Sequence, residues 1–468
     1  MKPLGKAPPL SNKRRHNKHK LEPDHTLPVH QEIFGLEIAT HQQLLQSMGI
    51  HNSPTLPTEL WREVLFHVCS IPDEFDISST ANGAISYYTH IIYLYNWRKA
   101  MKQRLQVALI SKYFHAVATE FLYSSFIILS QSDYNRAVEI VRRPETACHL
   151  RRITIEHILP DLAFEDFRHC KGLYMYVDIT GSGNDPGKWT GPPILSPNLT
   201  HLEVEYFKNC PSLQTWKNML EILPECRSLR SLRLTWVSGS GIDWPLSARP
   251  CTLSQLELLG LAGEIDCHGR SPLLSQWLPS LILPKLNTLI LSGDHPGLAL
   301  LAFGSTISTL SISKCPPHMI PKQKILLPKI RRFIVPYNFP KEGGWERLPD
   351  VIQMETIEVV EIHLERSVSK LSGYLAMFWC HEIDMDLRDL LRSFEDPTIT
   401  PKLKKVDFDL SRGRYSGAGE GFQITLTLWN KIMRFKRPEV EVRTHFWGGE
   451  WTSMSLECLN NPPHRLHS

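Results

Sequence analysis

One apolar spacing constrains this chain more than any other feature. An apolar residue is followed by two variable positions, a second apolar residue, one variable position and a third apolar residue. It occurs at Leu150/Ile153/Ile155, Leu199/Leu202/Val204, Leu229/Leu232/Leu234 and Leu253/Leu256/Leu258. It recurs at Leu286/Leu289/Leu291, Ile307/Leu310/Ile312, Ile330/Phe333/Val335, Ile357/Val360/Ile362 and Leu403/Val406/Phe408. Weaker copies stand at Tyr174/Val177/Ile179 and Cys380/Ile383/Met385, and successive copies begin 21 to 33 residues apart. The last two apolar positions alternate with a variable residue, as a strand buried on one face must. Return segments such as 216–223 and 387–394 read as helices. Units that each expose an apolar face are stable only when stacked. A strand at 422–429 and an amphipathic turn at 430–435 are expected to cover the last unit, with the tail beyond 447 frayed.

A different pattern precedes the repeats. Leu56-Pro57-Thr58-Glu59 opens a helix, because the residue before proline favours extended backbone and proline suits a first helical turn. Leu60, Trp61, Val64 and Leu65 then form an apolar stripe at helical spacing. A second segment, Leu109-Ile110-Ser111-Lys112-Tyr113-Phe114, leads to Val117-Ala118 and Phe121-Leu122-Tyr123. Residues 71–104 separate the two and read as a polar loop followed by a helix from about Thr89 to Arg104. Upstream, Phe34, Ile38, His41, Leu45 and Met48 share a helix face that ends at Gly49. Residues 1–30 carry few large apolar groups and are expected to be disordered. Their run Lys13-Arg14-Arg15 with Lys18 and Lys20 suits either a solvated tail or a nuclear-import signal.

The first segment resembles the opening helix of an F-box, Leu-Pro-x-Glu-Leu-x-x-x-Ile/Val-Leu/Phe. The second resembles that module's Leu-Val-Cys/Ser-Lys-x-Trp-x-x-Leu-Ala run, with Phe114 in place of the tryptophan. The repeats after Cys148 resemble a degenerate leucine-rich-repeat solenoid, and the whole is similar to fungal F-box domain-containing proteins. The expected fold class is α+β overall, a small helical F-box module followed by an α/β solenoid. Its expected divisions are 1–30, 31–130 with the insertion at 71–104, 131–446 and 447–468. The resemblance implies the substrate-recognition subunit of an SCF-type ubiquitin ligase, with Leu56, Pro57, Leu60, Val64, Leu65, Leu109, Ile110 and Phe114 docking a Skp-type adaptor that carries a cullin. Trp61, Phe121, Leu122 and Tyr123 would serve packing within the module. The alternative is a leucine-rich-repeat scaffold whose altered F-box no longer recruits that adaptor.

Other classes find little support. A net charge of +4 is small for a nucleic-acid binder of 468 residues, and no apolar run nears the roughly 18 residues of a membrane helix. The ten cysteines form no C-x-x-C pair and suit buried thiols in a reducing cytoplasmic or nuclear setting. No nucleophile elbow, phosphate loop or zinc-protease motif is present, so neither catalysis nor a cofactor or metal is expected. One further expectation comes from the repeat register. Glu361, His363, Asp384, Asp386, Asp407 and Asp409 fall beside the central apolar positions of the last three elements, on the exposed face of three adjacent strands. They would form an acidic patch for a protein substrate with a basic segment, or a solvated face neutralised by Lys404, Lys405 and Arg388.

Overall fold

The computed structural model describes residues 57–69, 87–155, 170–178, 198–207, 223–236, 250–263, 277–293, 296–312, 324–337, 348–364, 388, 390–409, 435–446 and 449–451. The chain divides into two compact units, Met1–Trp61 and Arg62–Ser468. The expected disordered tail, the helix over 31–48 and the strand at 422–429 lie outside the described residues.

Three helices come first: α1 (Thr58–Cys69), α2 (Tyr87–Ile110) and α3 (Lys112–Leu122). Pro57 starts α1 as its chemistry predicts, its carbonyl accepting from the Leu60 and Trp61 amides at 3.0 and 3.1 Å. α2 does not stop at Arg104 but continues to Ile110, so the insertion and the second motif segment share one helix. Ser111 separates it from α3. Its extended backbone breaks the helix, and its hydroxyl accepts from the Phe114 amide at 3.2 Å, a conventional N-cap.

The sheet begins at β1 (Ser125–Ile128), earlier than the first recognised repeat element. After α4 (Gln131–Val141) and α5 (Pro144–Ala147) come β2 (Arg152–Ile155), β3 (Gly172–Asp178), β4 (His201–Phe207), β5 (Ser231–Trp236), β6 (Cys251–Thr252), β7 (Leu258–Gly263), β8 (Leu281–Ile282) and β9 (Thr288–Gly293). Then follow α6 (Pro296–Phe303), β10 (Thr309–Ile312), β11 (Arg332–Tyr337), α7 (Leu348–Val351), β12 (Val359–Leu364), β13 (Lys405–Asp409), β14 (Glu441–Phe446) and β15 (Gly449–Trp451). Thirteen of these strands form one sheet in chain order, parallel up to β14, while β6 and β8 pair separately on the returns. β15 turns back antiparallel onto β14, within the stretch expected to be frayed. The fold is α/β with a mostly parallel sheet. Because each strand joins the same edge as its predecessor, strand order never reverses, and the crevice that a doubly wound sheet opens at such a reversal does not arise.

One continuous core lies on a single face of this sheet. It joins strand residues such as Ile153, Leu202, Leu232, Leu289, Leu310, Phe333, Val360 and Val406 to return-segment residues Leu223, Trp277, Leu300, Phe303, Leu348, Leu390 and Phe394. Strand pairing also corrects the expected register in three places. Leu232 pairs with Leu259 and Leu234 with Leu261, so the fourth strong element is Leu256/Leu259/Leu261, not Leu253/Leu256/Leu258. Ile153 pairs with Leu173 and Ile155 with Met175, so the weak copy is Cys170/Leu173/Met175, not Tyr174/Val177/Ile179. Val360 pairs directly with Val406, so the neighbour of β12 is β13 and not the element expected at Cys380/Ile383/Met385, which lies outside the described residues. The leucine-dense run at 253–261 satisfies the spacing twice, and only the hydrogen-bonded neighbour decides which copy is used.

The segment between β12 and β13 is the longest between paired parallel strands, and its described part includes helical residues at 390–395. Phe394, fully buried, meets Phe333 with ring centroids 6.0 Å apart. Its carbonyl and that of Thr400 accept from Arg437 Nη1 at 3.3 and 2.8 Å, tying this return to the last parallel strand. Replacing Phe394 with Ala is expected to lower stability by about 3–5 kcal/mol, the usual cost of emptying a buried aromatic site. Urea unfolding of the variant beside the parent checks this; a loss below about 1 kcal/mol would show that the return is not anchored there.

Candidate functional site

The helices α1, α2 and α3 pack through a small interior. Leu65 is buried with Val117, and Val107, Phe114 and Phe121 close around them. A second cluster joins Ala108, Ala118 and Leu122 to Met101 and Tyr123. Arg104, 1% exposed, reaches from α2 to the hydroxyls of Ser124 and Ser125 at 3.4 and 3.5 Å, while the Trp97 indole donates to Ser125 at 3.1 Å. Arg62 and Arg151 both pair with Glu120. The helices are thus fastened to the start of β1 by buried polar contacts, not only by apolar area.

What these helices leave outside is more informative. Ten large hydrophobic residues are exposed among the described residues, and seven of them are on α1, α2 and α3: Leu60, Val64, Phe66, Leu105, Leu109, Ile110 and Tyr113. The predicted apolar stripe of α1 splits in two. Leu65 faces inward at 3% exposure, whereas Leu60 and Val64, one turn apart, are 50% and 41% exposed. Of the adaptor residues named from the sequence, Leu60, Val64, Leu109 and Ile110 are exposed apolar groups and Pro57 is exposed beside them in sequence. Leu65 and Phe114 belong to the interior instead, where they hold α1 onto α3. Leu56 lies outside the described residues. Phe66, Leu105 and Tyr113 were missed because spacing marks an apolar stripe without saying which side of it is covered.

The strand face opposite the core differs from expectation. Of the residues expected to be open, His363 and Asp407 are buried, and so are Arg233, Ile290 and Ser311 on earlier strands. Ser311 sits in register between Ile290 and Ile334, both larger and branched, which overtop its short side chain. Of the five carboxylates expected to form an acidic patch, three are described, Glu361, Asp407 and Asp409. Asp384 and Asp386 lie outside the described residues, and β13 stands directly beside β12. Glu361 is held by Arg332 through Nε and Nη2 at 2.6 and 2.7 Å, and His363 Nε2 lies 3.2 Å from the same carboxylate. His363 Nδ1 is 3.5 Å from Asp409 Oδ2, and Lys405 pairs with Asp407 at 2.6 Å. Lys404 turns elsewhere, to Glu358 at 2.7 Å, which also takes Arg331. Each named carboxylate therefore has a cationic or imidazole neighbour from its own or an adjoining strand. Asp407 Oδ1 is buried without a hydrogen-bond partner.

Among the described residues no three or more His, Cys, Asp or Glu side chains come together to hold a metal ion. Also among them, no helix is long and apolar enough to cross a membrane. Cys170, Cys226 and Cys251 are buried free thiols, and burial pushes them up to about 12, 12 and 11, which keeps them protonated and unreactive. No protein-family model matches the sequence, and no curated protein matches it at a significant level.

Two expected outcomes separate packing from display. Leu65→Ala should cost about 2–4 kcal/mol and Val64→Ala less than about 0.5 kcal/mol, read from denaturant midpoints, since only the first empties a filled site. Equal losses would mean that Val64 is not exposed. The second concerns Glu361. Burial alone would raise its carboxyl, but hydrogen bonds from His363 and Arg332 and their charges outweigh it and hold it at about 2 instead of 4.5. A carboxylate depressed on folding stabilises fully above its unfolded value and progressively less as pH falls from about 4.5 through about 2. Wild type should therefore lose on the order of 3 kcal/mol across that window through this group, and Glu361→Gln should flatten the acid limb. Parallel acid limbs in the two proteins would refute the assignment.

Proposed function

We propose that this protein is the substrate-recognition subunit of an SCF-type ubiquitin ligase, an F-box module carrying leucine-rich repeats. The observation that carries the reading is the concentration of exposed apolar side chains on α1, α2 and α3, seven of the ten among the described residues. A helical module whose interior is already filled by Leu65, Val117 and their neighbours has no internal use for Leu60, Val64, Leu105, Leu109 and Ile110 outside. Exposed apolar groups in such number on three consecutive helices suit a protein contact. In the F-box resemblance these are the segments that dock a Skp-type adaptor.

The repeats supply the other half of the reading. Parallel strands in chain order, with registered partners 20 to 30 residues apart from β1 through β12, fit leucine-rich repeats of about 20–29 residues. The corrected register draws the interval of 33 down to 30 and evens out its neighbours. Such a receptor breaks no bond. It holds a target protein beside the charged ubiquitin carrier and so raises the effective concentration of a lysine there. The workplace of such a ligase is cytoplasmic or nuclear. Of the carboxylates expected to recognise a basic segment of the substrate, Glu361, Asp407 and Asp409 are engaged within the sheet.

Co-purification tests the reading. The full chain should capture a Skp-type adaptor, and Leu60→Ala with Val64→Ala should weaken capture about 10- to 100-fold, with thermal stability little changed. If the intact protein captures no adaptor, the ligase reading fails. The scaffold alternative, favoured by an insertion that is continuous with the second motif segment in α2, would then stand.

A further inference from the structure

Three of the ten exposed large hydrophobic residues are not on α1, α2 or α3: Ile282, Leu301 and Leu326, at 51%, 68% and 64% exposure. They stand on three successive returns, those before β9, β10 and β11. Ile282 and Leu326 hold one repeat position, each four residues ahead of the first apolar residue of its unit, Leu286 and Ile330. Each also lies between two buried neighbours, Leu281 and Leu283 or Ile325 and Leu327, so alternation turns it outward. Leu301 is on α6, in the return between theirs. That helix packs on the turn at 278–280 that leads into β8. Gly304, just past its end, lies so close to the following return that a Cβ there would be 2.5 Å from Leu327 Cδ2. The three returns are therefore in contact, one with the next.

α6 is the anomaly. None of its eight residues has a polar side chain. A helix apolar all round is normally covered on every side, yet Leu301 and Ala302 are exposed while Ala299, Leu300 and Phe303 enter the core. Single exposed hydrophobic residues need no explanation; three on adjoining returns, with such a helix among them, form a surface. The charges beside it have one sign. Lys324 alternates with Leu326 onto the same side, and Lys285 and Lys329 follow Ile282 and Leu326 by three residues; all three lysines are exposed. Residues 277–293, 296–312 and 324–337 hold no Asp or Glu. Lys285 donates to Gln255 at 2.6 Å, a neutral acceptor that leaves its charge uncancelled. We propose that these returns form a second protein-docking surface, separate from α1, α2 and α3, for a polypeptide segment with an apolar centre and an acidic margin. Carboxylates are the complement to lysines that flank an apolar strip. A second copy of the chain is a weaker match, since a two-fold contact sets the same lysines against one another. So is an anionic membrane. Ile325 bridges to Ile352, which sets the next return alongside, and Asp350 and Glu355 are exposed on it. A flat lipid surface meets that return too, whereas a polypeptide can stop short of it.

The probe is a synthetic amphipathic helical peptide of about 20 residues, with leucines on one face and glutamates beside them. A companion peptide carries lysines in place of the glutamates. Binding to the full chain is followed by fluorescence anisotropy at about 50 mM and about 500 mM salt. The glutamate peptide should bind, and the lysine peptide at least about 10-fold more weakly at low salt. Leu301→Ser with Leu326→Ser should weaken the glutamate peptide about 10-fold at both salts, and Lys324→Gln with Lys329→Gln about 5-fold at low salt only. All four positions are exposed, so unfolding midpoints should stay at the parent value. Equal binding of the two peptides, or binding indifferent to these substitutions, overturns the proposal. So does loss of peptide binding in Leu60→Ala with Val64→Ala, which would place the peptide on α1. Phosphatidylserine vesicles bound through Leu301 and Leu326 when the peptide is not, or a dimer in sedimentation that Leu301→Ser with Leu326→Ser dissolves, overturn it too. Adaptor capture by the Leu301 and Leu326 variant should match the parent, so this surface and the ligase reading fail separately.

Discussion

Everything described beyond residue 124 depends on the hydrogen-bonded ladder that links each parallel strand to the one before it. The ladder starts one residue ahead of each strand: the Arg230 amide donates to the Thr200 carbonyl, Glu257 to Arg230, Asn287 to Glu257, Ser308 to Asn287, Arg331 to Ser308, Glu358 to Arg331 and Lys404 to Glu358, all at 2.8–3.0 Å. A parallel strand cannot be reached by a tight turn, so every rung requires a return across the sheet. Those returns supply the second wall of the core, through Leu223, Trp277, Leu300, Leu348 and Phe394. Register is therefore fixed twice, by the backbone ladder and by apolar groups that would face the wrong side if a strand slipped one residue.

This double constraint explains which parts of the fold were legible in the sequence. Where a stretch offers one set of apolar positions, as at Leu286/Leu289/Leu291 or Ile357/Val360/Ile362, spacing alone locates the strand. Where leucines are dense, as from Leu253 to Leu261, the spacing is met twice and the neighbour in space decides. Where the repeat positions are held by Cys170 and Met175 instead of Leu or Ile, the signal is too weak to compete with nearby aromatics. β1 escaped notice for another reason. The preceding motif was read up to Tyr123, and Phe126 just beyond it was not read as a repeat residue, although it pairs with Ile153 as one would.

The candidate site was legible to a lesser depth. Spacing identified the helices that carry it, and the Leu-Pro start and the Ser111 cap set their ends. It did not distinguish the two sides of the α1 stripe, since Leu60 and Leu65 are equally apolar. Exposure depends on what packs against each, and Leu65 is covered by residues more than forty positions away, Val107, Phe114, Val117 and Phe121. The carboxylates of the last strands failed for a similar reason. Alternation placed Glu361, Asp407 and Asp409 on one face correctly, but their meaning turned on Arg332, a residue one strand earlier whose fork meets Glu361 on both oxygens.

The two regions differ in how their polar and apolar groups are settled, and that difference bears on where recognition occurs. On β11 to β14 charged groups are drawn into mutual contact: Arg332 with Glu361, Lys405 with Asp407, Arg443 with Glu441. A partner would have to break those pairs before using them, and the energy of a new contact would be offset by that of the old one. On α1 to α3 the reverse holds. Leu60, Val64, Leu105 and Leu109 stand in water although their own helices have a filled interior. Burying those four side chains against a second protein removes apolar area from water and breaks no ion pair. Among the described residues, most of the exposed apolar side chains that a partner could cover lie on the helices, whereas the charged groups of the terminal strands are used in joining one repeat to the next.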